Sequence, residues 1–255
     1  MMYFHNIIYL CLLLCTGGLC KKERIVGGLE TSITSYPHVV SIRNYTTNSF
    51  ICAGSIISQW NILTAAHCLF LLQNYNDVRI YSGTSSSSSI NAIHHGVDYV
   101  VFHPDFAFNP EQNLFLHNIA IIKVRSRIFL SVTQAIIALP TAVPFSETVS
   151  YIVGWGEVDT ADSAIIKPIL TMSTAIFINS QDCGTYYQIL VYDSQICTVS
   201  LPGVGVYAGD AGGSVTRRGE LQGIISYTFN RLPRMPTIHT KVFYYLNFIR
   251  HHMIV

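Results

Sequence analysis

Ten histidines and seven cysteines give this 255-residue chain side chains that could ligate a metal, relay a proton or form a covalent intermediate. A metal centre needs ligands that converge. His94-His95 and His251-His252 do not converge, because neighbouring residues face opposite sides of a strand and diverge by about 100° on a helix. No cysteine or carboxylate stands at ligand spacing from either doublet. They read as solvated surface histidines, and no metal or other cofactor is expected. The cysteines point to an oxidising compartment. Cys11, Cys15 and Cys20 fall within or beside an apolar N-terminal stretch, leaving Cys52, Cys68, Cys183 and Cys197 in the body, which can pair in three ways.

Two segments carry a sharper chemical signal. Gly209-Asp210-Ala211-Gly212-Gly213 sets a carboxylate beside a methyl in a glycine-rich turn, and Thr64-Ala65-Ala66-His67-Cys68 sets an imidazole beside a cysteine. With Ile25-Val26-Gly27-Gly28, Gly154-Trp155-Gly156 and His117-Asn118-Ile119-Ala120-Ile121-Ile122-Lys123-Val124, they resemble the chymotrypsin/trypsin family of serine proteases. The resemblance runs from residue 25 almost to the C-terminus. The family's loop reads Gly-Asp-Ser-Gly-Gly-Pro, so Ala211 stands in place of the nucleophilic serine and Ser214 in place of the proline. Asn118 stands in place of the orienting aspartate, and of the triad only His67 remains.

That chemistry needs a hydroxyl to attack, an imidazole to take its proton and a carboxylate to orient the ring. Exchanging the carboxylate for an amide costs about 10⁴ in kcat, and losing the serine costs about 10⁶, the two not simply multiplying. The resemblance therefore implies a chain that is not an enzyme. Water-mediated hydrolysis of about 10³-fold over background is the most that would survive.

The pocket positions depart as well. Gly205 stands where primary specificity is set, and Tyr207 and Arg231 occupy the two half-cystine positions of a lost pocket disulfide. Ser226-Tyr227-Thr228 replaces Ser-Trp-Gly, and Pro236-Thr237-Ile238-His239 replaces Pro-Gly-Val-Tyr, so Thr228 and Thr237 are expected to obstruct the pocket. Arg24-Ile25 resembles an activation site, whose new α-amino group would pair with Asp210. The resemblance also selects the disulfides Cys52–Cys68 and Cys183–Cys197. It extends to inactivated protease paralogues of arthropods, parasitic mites among them. The implied partners are extracellular proteins, host complement or other serum-defence components. The alternative is a decoy that captures protease substrates or inhibitors in the remnant cleft.

Positioning such residues takes a rigid frame. Short apolar or alternating runs, His38–Ile42, Ser55–Ile57, Val78–Tyr81, Asp98–Phe102, Ile119–Val124, Tyr151–Val153 and Leu221–Tyr227, separated by Gly, Pro, Asn and Ser turns, predict an all-β body. The resemblance narrows this to two six-stranded antiparallel barrels with the site between them. Apolar residues at helical spacing over Lys241–Arg250 predict a C-terminal helix. Residues 1–20 read as a signal peptide too short to span a bilayer, 21–24 as an activation peptide and 25–255 as the protease-homologue domain of a secreted protein. A formal charge of +1, with no run of basic residues, excludes an electrostatic footprint for nucleic acid or an anionic membrane. Asn44-Tyr45-Thr46 is a glycosylation sequon. Ser85 to Ser89, in a region where some relatives hold calcium, contains no carboxylate and reads as a flexible surface loop without a calcium site.

Overall fold

The computed structural model describes residues 28–109, 111, 114–160, 163–166, 169–200, 206, 209–227 and 236–254. Strand β1 is Leu29–Glu30, followed by β2 (Val39–Asn44), β3 (Phe50–Ile56), β4 (Asn61–Thr64), β5 (Val78–Ser82) and β6 (Ile93–Phe102). A small hairpin, β7 (Ala107–Asn109) and β8 (Leu114–Leu116), precedes β9 (Ala120–Val124). Strands β2, β3, β4, β9, β6 and β5 close in that order into a six-stranded barrel.

The second half begins with β10 (Val149–Gly154), a separate hairpin of β11 (Glu157–Thr160) and β12 (Ser163–Ile166), and β13 (Thr171–Ile178). Helix α1 (Ser180–Tyr187) leads to β14 (Gln195–Ser200), β15 (Ser214–Arg217), β16 (Glu220–Tyr227) and β17 (Thr237–Lys241). The order β13-β10-β15-β16-β17-β14 closes through β13–β14 pairing into a second six-stranded antiparallel barrel, with β1 added along the first residues of β13.

Apolar residues fill both barrels, on the strands that the sequence runs mark and also on β4, β13, β14 and β15, which those runs do not include. Val40, Ile42, Ile56, Ile62, Ile80 and Ile121 share the first core. Ile152, Phe177, Ile196, Val215 and Ile225 share the second. A third cluster, Val39 and Ala53 with Val153, Trp155 and Leu170, joins them. The C-terminal run differs from its prediction in detail: Lys241 ends β17, Val242–Tyr245 form a tight 3₁₀ turn, and helix α2 is Leu246–His252. Val242, Tyr245 and Ile249 pack into the first core, so their spacing serves packing. The disulfides Cys52–Cys68 and Cys183–Cys197 are both formed, closing separations of 16 and 14 residues. Each contributes about 3 kcal/mol in the chain-entropy account.

The five-serine run is not the free loop that its composition suggests. Ser85 accepts through its carbonyl from Trp155 Nε1 at 2.9 Å and through its hydroxyl from the Ile33 amide at 2.9 Å. From the other side the buried Arg43 guanidinium donates to the carbonyls of Ser86 at 2.8 Å and Ser89 at 3.0 Å, and to Ser41 Oγ at 2.8 Å. Its carbon lies 4.1 Å from the centre of the Tyr81 ring. Burial lowers the Arg43 pKa to about 10, which leaves the group cationic at neutral pH. A planar fork of donors thus organises a loop whose hydroxyls would not order it alone.

Candidate functional site

His67 lies in the 3₁₀ turn Ala66–Cys68, anchored by the Cys52–Cys68 bridge. Asn118 is buried between β8 and β9. The preceding residue, His117, has φ 48°, a left-handed conformation in which histidine is enriched, and the Ile119 amide donates back to the His117 carbonyl at 2.8 Å. This tight turn brings the Asn118 side chain to His67, and Thr240 Oγ1 secures it by donating to the Asn118 carbonyl at 2.9 Å.

The amide's orientation follows from one unambiguous donor. The His67 backbone N–H donates to Asn118 Oδ1 at 3.0 Å, so the carbonyl end must face the backbone. Asn118 Nδ2 then lies 2.8 Å from His67 Nδ1 and donates to Ser226 Oγ at 2.7 Å. An amide nitrogen carries only donors, so His67 Nδ1 accepts and the ring's proton sits on Nε2. Burial lowers the His67 pKa, and the hydrogen bond with Asn118 opposes the shift; Oδ1 lies farther from Nδ1 than Nδ2 does, at 3.2 Å. The ring is a neutral donor at the nitrogen that a proton acceptor would need. Its face is covered by Phe115, stacked at 4.9 Å and 7°.

The opposing loop runs from Gly209 to Gly213. Its carbonyl at Ala211 accepts from the Ala53 amide at 2.9 Å, and the Ala211 methyl packs against the first-barrel core. Gly212 has φ 77°, and a Cβ there would lie 2.2 Å from the Ala53 carbonyl oxygen and 2.4 Å from Thr64 Oγ1. Asp210 is buried and accepts from the Gly156 amide at 2.7 Å. A Cβ on Gly154 or Gly156 would fall 2.3 or 2.1 Å from its carboxylate oxygens. The glycines flanking Trp155 therefore form a cradle for Asp210.

A glycine-framed aspartate, a disulfide-anchored histidine turn and two closed barrels around them find their counterpart in the Trypsin family, whose profile matches residues 25–249. The chain belongs to that family. It is 29% identical to the trypsin of Sus scrofa over 235 residues, 89% of this chain and 95% of the other. It is 32% identical to trypsin II-P29 of Gallus gallus, covering 91% and 90%, and 30% identical to chymotrypsin-2 of Vespa crabro, covering 89% and 98%. Neuropsin, a serine protease expressed in the limbic system of mouse brain, shares the fold with a TM-score of 0.79 at 24% identity, covering 89% of this chain and 99% of that one.

In this trypsin-family chain, then, the fold brings His67, Asn118 and the Asp210–Ala211 loop to the junction of the barrels. Thr237 is buried on β17. Of Tyr227 the backbone alone is described, and Arg24, Ile25, Gly205, Tyr207, Thr228 and Arg231 lie outside the described residues. Asn44 ends β2 at an exposed turn, where its Oδ1 accepts from the Thr47 amide at 2.9 Å. Cys52, His67 and Cys68 bring three potential ligand atoms together, but the disulfide leaves no thiolate for a metal. One imidazole–hydroxyl pair that escaped sequence reasoning lies near this junction: His38 Nε2 is 3.1 Å from Ser214 Oγ, across 176 residues. Ser214 is fully buried, so the pair fastens β15 to the first barrel rather than facing a substrate.

Proposed function

We propose that this trypsin-family chain is a secreted, catalytically inactive homologue that acts by binding extracellular proteins. The supporting observation is the Asn118 amide, which presents a donor to His67 and so holds the ring in the tautomer that cannot take a proton at Nε2. Beside it, Ala211 offers a methyl where the family's reaction needs a hydroxyl. Together these changes remove on the order of 10⁶ in rate, leaving contact as the means of action. The two disulfides and the apolar N-terminal stretch support secretion. Host complement or another serum-defence component is the partner class, following the resemblance to inactivated arthropod paralogues.

The test exposes the purified chain to a fluorophosphonate and reads covalent addition by intact mass, with pig trypsin as the positive control. No adduct and no turnover of a peptide ester are expected, while mass spectrometry identifies defence proteins retained from host plasma. Stoichiometric labelling would overturn the reading of inactivity, and plasma retention without any defence protein would overturn the partner class.

A further inference from the structure

Asn44-Tyr45-Thr46 is the single Asn-X-Ser/Thr pattern in the chain, and its middle residue is not proline. The fold places it at the tip of the β2–β3 hairpin, on the first barrel. The Asn44 amide donates to the Ser49 carbonyl at 2.9 Å and closes the turn, while the Tyr45 amide donates to the Asp77 carbonyl at 2.6 Å. The Arg79 guanidinium carbon lies 4.6 Å from the centre of the Tyr45 ring, and the His94 ring lies 5.5 Å from it. Backbone and ring contacts thus tie the turn to β5 and β6.

This turn holds two asparagines that the fold treats differently. Asn48 is spent on structure. It takes a left-handed φ of 53°, its Nδ2 donates to the Ser88 carbonyl at 3.0 Å, and its Oδ1 accepts from Arg43 at 3.4 Å. Phe50 also denies it a hydroxyl two residues on. At Asn44 only the oxygen is used: Oδ1 accepts from the Thr47 amide at 2.9 Å and from the Thr47 hydroxyl at 3.1 Å. Asn44 Nδ2 carries two N–H donors and has no partner among the described residues, and neither does the Thr46 hydroxyl. Tyr45, Thr46 and Thr47 are all exposed. An amide nitrogen that folding leaves unused, on a surface turn and two residues before a free hydroxyl, is the context that converts a sequon from a pattern into an acceptor.

We propose that Asn44 is a modification site that carries an N-linked oligosaccharide. In the attachment step Nδ2 forms a bond to C1 of an N-acetylglucosamine, and the bond from C1 to the oxygen of a lipid-linked pyrophosphate breaks. The pyrophosphate leaves with the electron pair and Nδ2 gives up one proton. The donor is a lipid-pyrophosphate oligosaccharide of the secretory pathway, so the proposal rests on the secreted reading above. Oδ1 takes no part in the new bond, and the turn keeps the hydrogen bonds from Thr47 that shape it.

The experiment expresses the full-length chain in secreting eukaryotic cells and collects medium and lysate. The secreted chain should be heavier than its polypeptide by a sum of hexose and N-acetylhexosamine masses. Peptide N-glycosidase should remove that excess and leave a carboxylate at position 44, located by peptide sequencing in a mass spectrometer. Asn44→Gln and Thr46→Ala should each abolish the excess, and Thr46→Ser should retain it. Thr46→Ala leaves the Asn44 side chain and its bonds with Thr47 in place, so it reads the sequon even where Asn44→Gln disturbs the turn. Scoring the lysate keeps a variant that fails to leave the cell informative. An unmodified Asn44 in secreted chain, or an excess that survives Thr46→Ala, overturns the proposal and leaves secretion standing. Chain confined to the cytosol without sugar overturns both.

Discussion

The Asp210 loop and the His67 face meet at the same junction but are constrained by different physics. Around Asp210, a side chain on Gly154, Gly156 or Gly212 would strike a carboxylate or carbonyl oxygen well inside contact distance, so the folded backbone itself demands glycine. Around His67, an asparagine satisfies the backbone amide, the imidazole and Ser226 while inverting the hydrogen bond that reaches the ring. Residues required by backbone geometry are held by folding energetics whether or not a reaction is run. Residues required only by a reaction can change while the frame stays intact. On the function proposed here, that asymmetry explains how a protease frame persists around a methyl.

The sharpest way to break this comparison is Gly212→Ala. It combines a left-handed backbone with overlap against the Ala53 carbonyl and should cost about 4 kcal/mol or more, or abolish folding. Ala211→Gly in the adjacent position should cost no more than about 1 kcal/mol. Urea titration of both variants measures the contrast, and similar costs for the two would show that the loop is not a stiff frame. Next in size is Arg43→Met, which removes the cation that bonds the Ser86 and Ser89 carbonyls. It should cost about 3 kcal/mol, with amide exchange accelerating across 85–89 first. A stability change under about 1 kcal/mol would mean that the loop holds itself.

What the sequence made legible follows the same division. Short-range periodicity located β2, β3, β5, β6 and β9 of the first barrel but only β10 and β16 of the second, and the cradle that Gly154 and Gly156 form for Asp210 emerges only from the fold, because those glycines resembled a family landmark without showing what they approach. Arg43 was not legible: a lone arginine within a strand says nothing about serine carbonyls more than 40 residues away. The ring contacts that join Phe70, Phe106, Phe108 and Phe115 were hidden because three segments contribute to them and none has a distinctive period. Ser214 could be noticed as a departure from proline, but its partner His38 lies at the far end of the chain. The α2 boundary shifted because Val242–Tyr245 tighten into a 3₁₀ turn that periodicity does not distinguish from helix.

Acidification sharpens the contrast within the frame. Burial lowers the pKa of His38 to about 4 and that of His239 to about 3, whereas both titrate near 6.5 when unfolded. The unfolded chain therefore binds more protons once pH falls below about 6.5, and stability is lost progressively from there toward the folded values. Each ring contributes a slope of about 1.4 kcal/mol per pH unit, so the pair gives about 2–3 kcal/mol per unit between pH 6 and roughly 4.5. Urea midpoints measured across that range check it. His38→Asn should reduce the slope by about half, and an unchanged slope would show that His38 is not held neutral in the fold.

The smallest effect probes the His67 face most directly. In Asn118→Asp an oxygen replaces the nitrogen facing His67 Nδ1, so a contact that donates to the ring becomes one that accepts from it. The proton must move from Nε2 to Nδ1, and the new charge favours the imidazolium form. The His67 pKa, lowered by burial in the native chain, should rise by about one to two units, equivalent to about 1–3 kcal/mol. Because the folded-state pKa rises, the variant gains stability relative to the native chain as pH falls below that raised value. Ring ¹⁵N shifts report both quantities, with Nε2–H expected in the native chain and Nδ1–H in the variant. Finding Nδ1–H in the native chain would mean that Asn118 presents its oxygen to the ring. His67 would then keep the protonation state of a working base, and inactivity would rest on the Ala211 methyl alone.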